Sequence, residues 1–594
     1  TALSTSTYSF ASTLTGLSLG ASSSTSVLTV NSDLTIAGPI SLYGAGVAIN
    51  NNVQSTAAGA TVLAKSTGNI TLEASKSIIT NGGDITLWAD SDASGAGAIL
   101  IKNSATLDSR TAADRLANTH TTGGGAITLA GGLDDGGVAS GASALITGLT
   151  ANDGRPDGYA VNYGGTGVQF GISLGNDTAS GQNTLINIVS GGGDIRLNGM
   201  VTTKVGSNGP TGLVSYMGLN MNAGRTGNLT LLGMANETSA GASDAVGMDL
   251  AGWRSSIGTT TYFRTENGNI QVVGRGLGAS SNNIGIASDG QDTTKRIVFA
   301  ATGTGSITLD GQGTGTGAAD IRLTVTDVLA SSGNIKFLGH AKGLNVTSWY
   351  DDGVFVGAKA SSLVTSSSSN VWVQGDALTL GKPLTVKTTG ALQILSDASA
   401  FSAALSLSSN LVLGNTLSSL TVGKTTNTSG ITLSGSNTVA GPIEMYGSAL
   451  AINGALTATN STVDLYATGA VTQTAAITAS GLGLHGTGSF TLNNTSNSVG
   501  TLAGGDATTK LGNVSYTNAG ALAVDTVGSV SGLTSTGTVL VETMSGDLAL
   551  NQNISTTNAT ATAVWLNAGK SAATGITTGG NVLITGPPTI TAGA

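Results

Sequence analysis

The 594 residues include no cysteine, which excludes disulfide frameworks, thiolate metal sites and cysteine nucleophiles. Stability must come from packing and backbone hydrogen bonds. Charge is scarce too: Asp, Glu, Lys and Arg make up 9% of the chain and sum to −9. Phosphate recognition needs a basic surface, so no nucleic-acid partner is expected. No apolar run approaches the roughly 20 residues of a membrane-spanning helix. No signal sequence follows Thr1, and the chain reads as a processed or excised soluble piece that does not span a membrane.

What is present is mostly small. Glycine occurs 90 times and proline only 7 times, while 39% of positions are hydrophobic. Disordered chains combine low hydrophobicity with high charge, and collagen needs glycine at every third position, so neither class fits. The chain should fold, and its near-uniform composition argues for one repetitive architecture.

The recurring unit is a short strand of alternating apolar and polar residues behind a glycine. It appears as Gly68-Asn69-Ile70-Thr71-Leu72, Gly83-Asp84-Ile85-Thr86-Leu87, Gly125-Ala126-Ile127-Thr128-Leu129 and Gly193-Asp194-Ile195-Arg196-Leu197. It continues at Gly227-Asn228-Leu229, Gly268-Asn269-Ile270, Gly305-Ser306-Ile307 and Gly333-Asn334-Ile335, with later copies from Gly488, Gly546 and Gly580. The alternation points Ile and Leu inward and Thr outward on a half-buried strand. Gly-Asn or Gly-Asp is expected to supply a positive-φ turn before it.

A longer duplication ties distant segments to one structural unit. Thr35-Ile36-Ala37-Gly38-Pro39-Ile40-Ser41-Leu42-Tyr43-Gly44 matches Thr438-Val439-Ala440-Gly441-Pro442-Ile443-Glu444-Met445-Tyr446-Gly447, and the register holds to Ile49-Asn50 and Ile452-Asn453 without a gap. Exchanges of Ile for Val and Leu for Met fall at alternate positions, with Ser to Glu between them, as inward and outward faces require.

Glycine, serine, threonine and asparagine interrupt the chain too often for long helices. Similar strands without a consistent two-residue hairpin signature favour stacked coils over antiparallel pairing. The expectation is an all-β, right-handed parallel β-helix, or β-solenoid, with coils of about 20 to 25 residues. Every arginine lies between Arg110 and Arg322, where irregular stretches such as Asp134-Asp135-Gly136-Gly137 and Asn152-Asp153-Gly154-Arg155-Pro156-Asp157 also occur. This divides one continuous solenoid into a shaft over 1–109, a region over 110–322 with longer arginine-bearing loops that project laterally, and a second shaft over 323–594.

Chemical candidates are few. Clustered acids could perform acid/base work on a polysaccharide, and Asp134, Asp135, Asp153, Asp157, Asp351 and Asp352 are the candidates. Beside glycine these are ordinary turn residues, so no catalytic set is assigned. His120, His340 and His485 have no partner at metal-ligand spacing, so no metal or cofactor is assigned. Arg155, Tyr159, Trp253, Arg254, Tyr262, Arg264, Trp349 and Tyr350 are the candidate contact residues, because aromatic and arginine side chains dominate recognition surfaces.

Segments such as Ala440-Gly441-Pro442-Ile443, Gly469-Ala470-Val471-Thr472-Gln473-Thr474-Ala475-Ala476-Ile477, Gly512-Asn513-Val514-Ser515-Tyr516 and Gly546-Asp547-Leu548-Ala549-Leu550 resemble the filamentous-haemagglutinin family of secreted bacterial exoproteins. The resemblance is clearest over 427–594 and 28–90. It implies a right-handed parallel β-helix exported through an outer-membrane transporter to the outer surface of a Gram-negative cell. No counterpart of that family's amino-terminal secretion domain follows Thr1. The expected role is a fibrous structural protein or adhesin that attaches to host or neighbouring cells or their glycans, or that builds a biofilm matrix. The alternatives are a filament subunit associating end to end through uncapped solenoid ends and a polysaccharide-active enzyme.

Overall fold

A computed structural model describes residues 3–4, 9–163, 169–175, 185–202, 209–216, 218–237, 244–250, 259–278, 281–290, 294–347, 352–570 and 579–593. Strand accounts for 49% of it and helix for 2%, so the chain is all-β. It divides into two compact units, Thr1–Ser369 and Asn370–Ala594. Among the described residues no helix is long and apolar enough to cross a membrane.

In the first unit each coil contributes one strand to each of three parallel faces. Val27–Val30, Gly46–Ile49, Ile70–Leu72, Ile99–Ile101 and Phe170–Leu174 follow one another up the first face. Leu34–Ile36, Val53–Ala58, Ser77–Asn81 and Thr106–Asp108 do so on the second. On the third, Ile85, Ile127, Ile195, Leu229, Ile270, Ile307 and Ile335 are successive register partners. These are seven of the motif copies, so the sequence repeat is one ladder of the fold; the copy at Ile70 lies on the first face. All seven side chains are at most 1% exposed, and burying each stabilises the fold by roughly 1.5–3 kcal/mol. A parallel β-helix is thus borne out as the fold.

The glycine ahead of each strand has a different role from the expected one. Gly83, Gly125, Gly193, Gly227, Gly268, Gly305 and Gly333 do not adopt a positive φ. They stack on one another instead: a Cβ on Gly268 would lie 2.0 Å from the Gly227 carbonyl oxygen, and one on Gly305 would lie 1.9 Å from that of Gly268. Close backbone approach, not turn conformation, demands glycine in this column. Gly546 is the copy that does take a positive φ, of 77°.

The next residue links the coils. Asp194 Oδ1 accepts the Asn228 amide at 2.7 Å, Asn228 Oδ1 accepts that of Asn269 at 2.9 Å, and Asn269 Oδ1 accepts that of Ser306 at 3.0 Å. Each bond satisfies a corner N–H that the sheet ladder leaves free. The bonded residues are 34, 41 and 37 apart in sequence, so these coils exceed the expected length because loops enter at their corners.

The second unit repeats the scheme. Ile431–Leu433, Leu450–Ile452, Ala470–Gln473 and Ser489–Leu492 stack on one face. The nine-residue strand Ile477–His485 pairs with both Leu456–Ala458 and Thr462–Ala467, so one strand serves two faces. The duplicated segments adopt one conformation: Ile40–Gly44 and Ile443–Gly447 share the same alternation of buried and half-buried residues. The Pro39 carbonyl accepts from the Leu17 amide at 2.9 Å, as Pro442 accepts from Leu420 at 3.0 Å.

Candidate functional site

Two outward columns run side by side on the third face of the first unit. Thr128, Arg196, Thr230 and Gln271 occupy one position of successive strands, and Ala126, Asp194, Asn228 and Asn269 form the corner beside them. The segment between Ile127–Gly131 and Ala160–Val161 crosses this surface. It encloses a cleft of about 220 Å³ whose wall includes Thr147, Gly148, Asp153 and Arg155.

This segment folds back onto the solenoid and does not project. Ile146, Tyr159 and Val161 pack with Leu232 and Val273 of the third face, joined by Leu145, Leu149, Met200 and Met234. The Trp88 indole donates to the Gly132 carbonyl at 2.8 Å, and the Lys65 ammonium sits 3.3 Å from the centre of the same ring. Tyr159 is 1% exposed, so it packs the loop instead of meeting a partner. Burial pushes its phenol up to about 12.

The acids singled out in the sequence bond to the loop itself. Asp134 accepts the amides of Asp153 and Gly154, at 3.2 and 2.8 Å. Asp135 accepts those of Gly137 and Ala139, at 2.9 and 2.8 Å. Asp157 accepts the Gly136 amide at 2.8 Å and pairs with Arg196 at 3.3 Å. Burial raises its pKa against the pull of that amide and of Arg196. Arg196 also donates to the Pro156 carbonyl at 2.7 Å, and Arg155 pairs with Asp84 at 2.7 Å. Burial lowers the Arg196 pKa; at Arg155 burial is opposed by Asp84, Asp153 and Asp194, which together raise the pKa.

The remaining candidates separate. Arg264 stacks over the Tyr262 ring at 4.9 Å and donates to Asn220 Oδ1, while Phe263 points inward and stacks on Phe299 with centroids 4.9 Å apart. Trp253, Arg254, Trp349, Tyr350 and Asp351 lie outside the described residues. Asp352 pairs with Arg296 at 3.4 Å. The three histidines stand apart: His485 bonds Asp464 at 2.9 Å, His340 lies 3.5 Å from Asp310, and buried His120 Nδ1 has no hydrogen-bond partner among the described residues. Among the described residues no three His, Cys, Asp or Glu side chains could hold a metal together.

Sequence reasoning misses the column of Thr128, Arg196, Thr230 and Gln271, because the irregular coil lengths hide which outward residues are neighbours. It also misses the stack of Tyr446, Tyr466 and His485, with centroids 4.2 and 4.1 Å apart, although the strand period places each aromatic outward. Comparison with family models, curated proteins and solved structures finds no match.

Proposed function

We propose that this chain is a structural and adhesive protein of the bacterial cell exterior, a solenoid whose coils act as scaffold and whose loop-covered third face makes contact. The observation that supports it most is where the polar chemistry goes. Asp134, Asp135 and Asp157 bond the loop's own backbone, and Asp194, Asn228 and Asn269 bond the next coil. Such bonds hold a scaffold in register. The resemblance to filamentous haemagglutinins supports export through an outer-membrane transporter and a location on a Gram-negative surface. Many weak contacts along a stacked scaffold would add to firm, reversible attachment.

The test is retention of beads coated with the purified chain on bacterial, epithelial and glycan-coated surfaces, with release of reducing ends from a polysaccharide panel measured in parallel. Retention without release supports the adhesive role. Release that disappears in the Asp153→Asn or Asp194→Asn variant would replace it with an enzymatic one.

A further inference from the structure

The third-face cleft has the chemistry of a binding site for an uncharged, extended, hydroxyl-rich ligand. Its lining is polar apart from Ala126 and Gly148, so it has no apolar pocket for a hydrophobic ligand or a peptide anchor. The strands beneath pair on both sides, which leaves no free backbone edge for a peptide to extend. Recognition must therefore come from side chains.

Charge narrows the class further. Among the described residues the cleft has two cations, and both are already committed, Arg155 to Asp84 at 2.7 Å and Arg196 to Asp157 at 3.3 Å. Asp153 and Asp194 add negative charge to the same lining. An acidic ligand would meet carboxylates without an unpaired cation to offset them, whereas a neutral polyol supplies O–H donors that carboxylate and amide oxygens accept.

Geometry supplies the last constraint. Arg196, Thr230 and Gln271 recur one coil apart, at the strand spacing of about 4.8 Å. An unbranched sugar chain repeats its hydroxyls ring by ring on a comparable scale. We propose that this cleft binds a short segment of neutral oligosaccharide lying along the column, between the strands and the wall formed by Thr147, Gly148 and Asp153. The proposal rests on the adhesive reading and gives it a ligand class.

The test uses the whole chain with neutral gluco-, manno-, galacto- and N-acetylglucosamine oligosaccharides, each beside its uronate- or sulfate-bearing counterpart, read by saturation-transfer NMR and calorimetry. Thr230→Tyr fills the cleft and should abolish binding, and Gln271→Leu should weaken it by about tenfold or more. Thr308→Tyr, one coil beyond Gln271 on the same column, is the control for folding and should bind as the wild type does. Failure of the wild type to bind any neutral oligosaccharide, stronger binding of the acidic ones, or unchanged binding by Thr230→Tyr overturns the proposal. If beads are still retained on surfaces, the adhesive reading survives that failure. Sugar binding without retention would overturn the adhesive reading alone.

Discussion

Arg296 sets its Nε 2.8 Å and its Nη2 2.5 Å from the same carboxylate oxygen of Asp327, with both side chains at most 5% exposed. Lys359 reaches that carboxylate at 3.0 Å and Asp352 reaches Arg296 at 3.4 Å. The two partners are therefore not equivalent. Asp327→Ala strands two cations with only the more exposed Asp352 between them and should destabilise the surrounding coils by about 3–5 kcal/mol. Arg296→Met leaves Asp327 paired with Lys359 and should cost less, about 1–3 kcal/mol. Stacked coils open locally, so hydrogen exchange of strands Thr326–Ala330 and Val354–Gly357 is the measurement. Equal loss in the two variants would contradict this ordering.

The glycine column makes a second ordering. A methyl at Gly268 would lie 2.0 Å from the Gly227 oxygen, whereas at Gly16 the nearest heavy atom beyond its chain neighbours, the Pro39 oxygen, would be 4.0 Å away. Gly268→Ala must push two coils apart, with a cost of about 1–3 kcal/mol, while Gly16→Ala should be nearly neutral. Thermal unfolding of both variants followed by circular dichroism tests this. A destabilised Gly16→Ala beside an unaffected Gly268→Ala would refute the stacking explanation.

The same column shows how far the sequence could be read. Alternation at Ile195-Arg196-Leu197 and its relatives reveals strand, inward face and repetition, because a period of two leaves little other choice. Which copies are neighbours is not legible, since Asp194 and Asn228 are 34 residues apart but Asn228 and Asn269 are 41 apart. Loops inserted at corners change the spacing without disturbing the ladder. For that reason the Thr128, Arg196, Thr230 and Gln271 cleft is invisible in the sequence, although Arg155 on its wall stands out. The short helix Ala112–Ala117 is also missed, although Thr111 three residues before Asp114 is a capping signal: its side chain accepts the Asp114 amide at 3.2 Å.

His120 gives the first unit an acid-sensitive point. Burial lowers its pKa, and Arg110 and Arg264 lower it further, against the pull of Asp108 and Asp114. A histidine whose folded pKa lies below the ordinary value of about 6.5 contributes stability that is complete above that value and is lost as the pH falls through the folded pKa. Between pH 7 and pH 5 the segment around Ala112–Ala117 should exchange its amides faster than intrinsic chemistry predicts. His120→Gln should remove that acceleration while leaving exchange at pH 7.5 close to wild type. An unchanged pH profile in this variant would place the sensitivity on another group.

In the second unit the Tyr446, Tyr466 and His485 rings stack in sequence, with Tyr466 in contact with both neighbours. Each stack is worth about 0.5–1.5 kcal/mol beyond simple burial. Tyr466→Ala breaks two stacks and Tyr446→Ala one, so the first should loosen Thr462–Ala467 and Ile477–His485 about twice as much by hydrogen exchange. The column also titrates. Burial raises the Tyr446 phenol above its ordinary range, followed by the influence of Tyr466 and Glu444. A raised folded pKa means stability that is complete below the ordinary tyrosine pKa of about 10 and is lost as the pH rises through the folded value. Ultraviolet titration of Tyr466→Ala should show Tyr446 ionising at lower pH than in the wild type, because its neighbour and part of its cover are gone. If Tyr446 ionises at the same pH in both proteins, the stack does not set its environment.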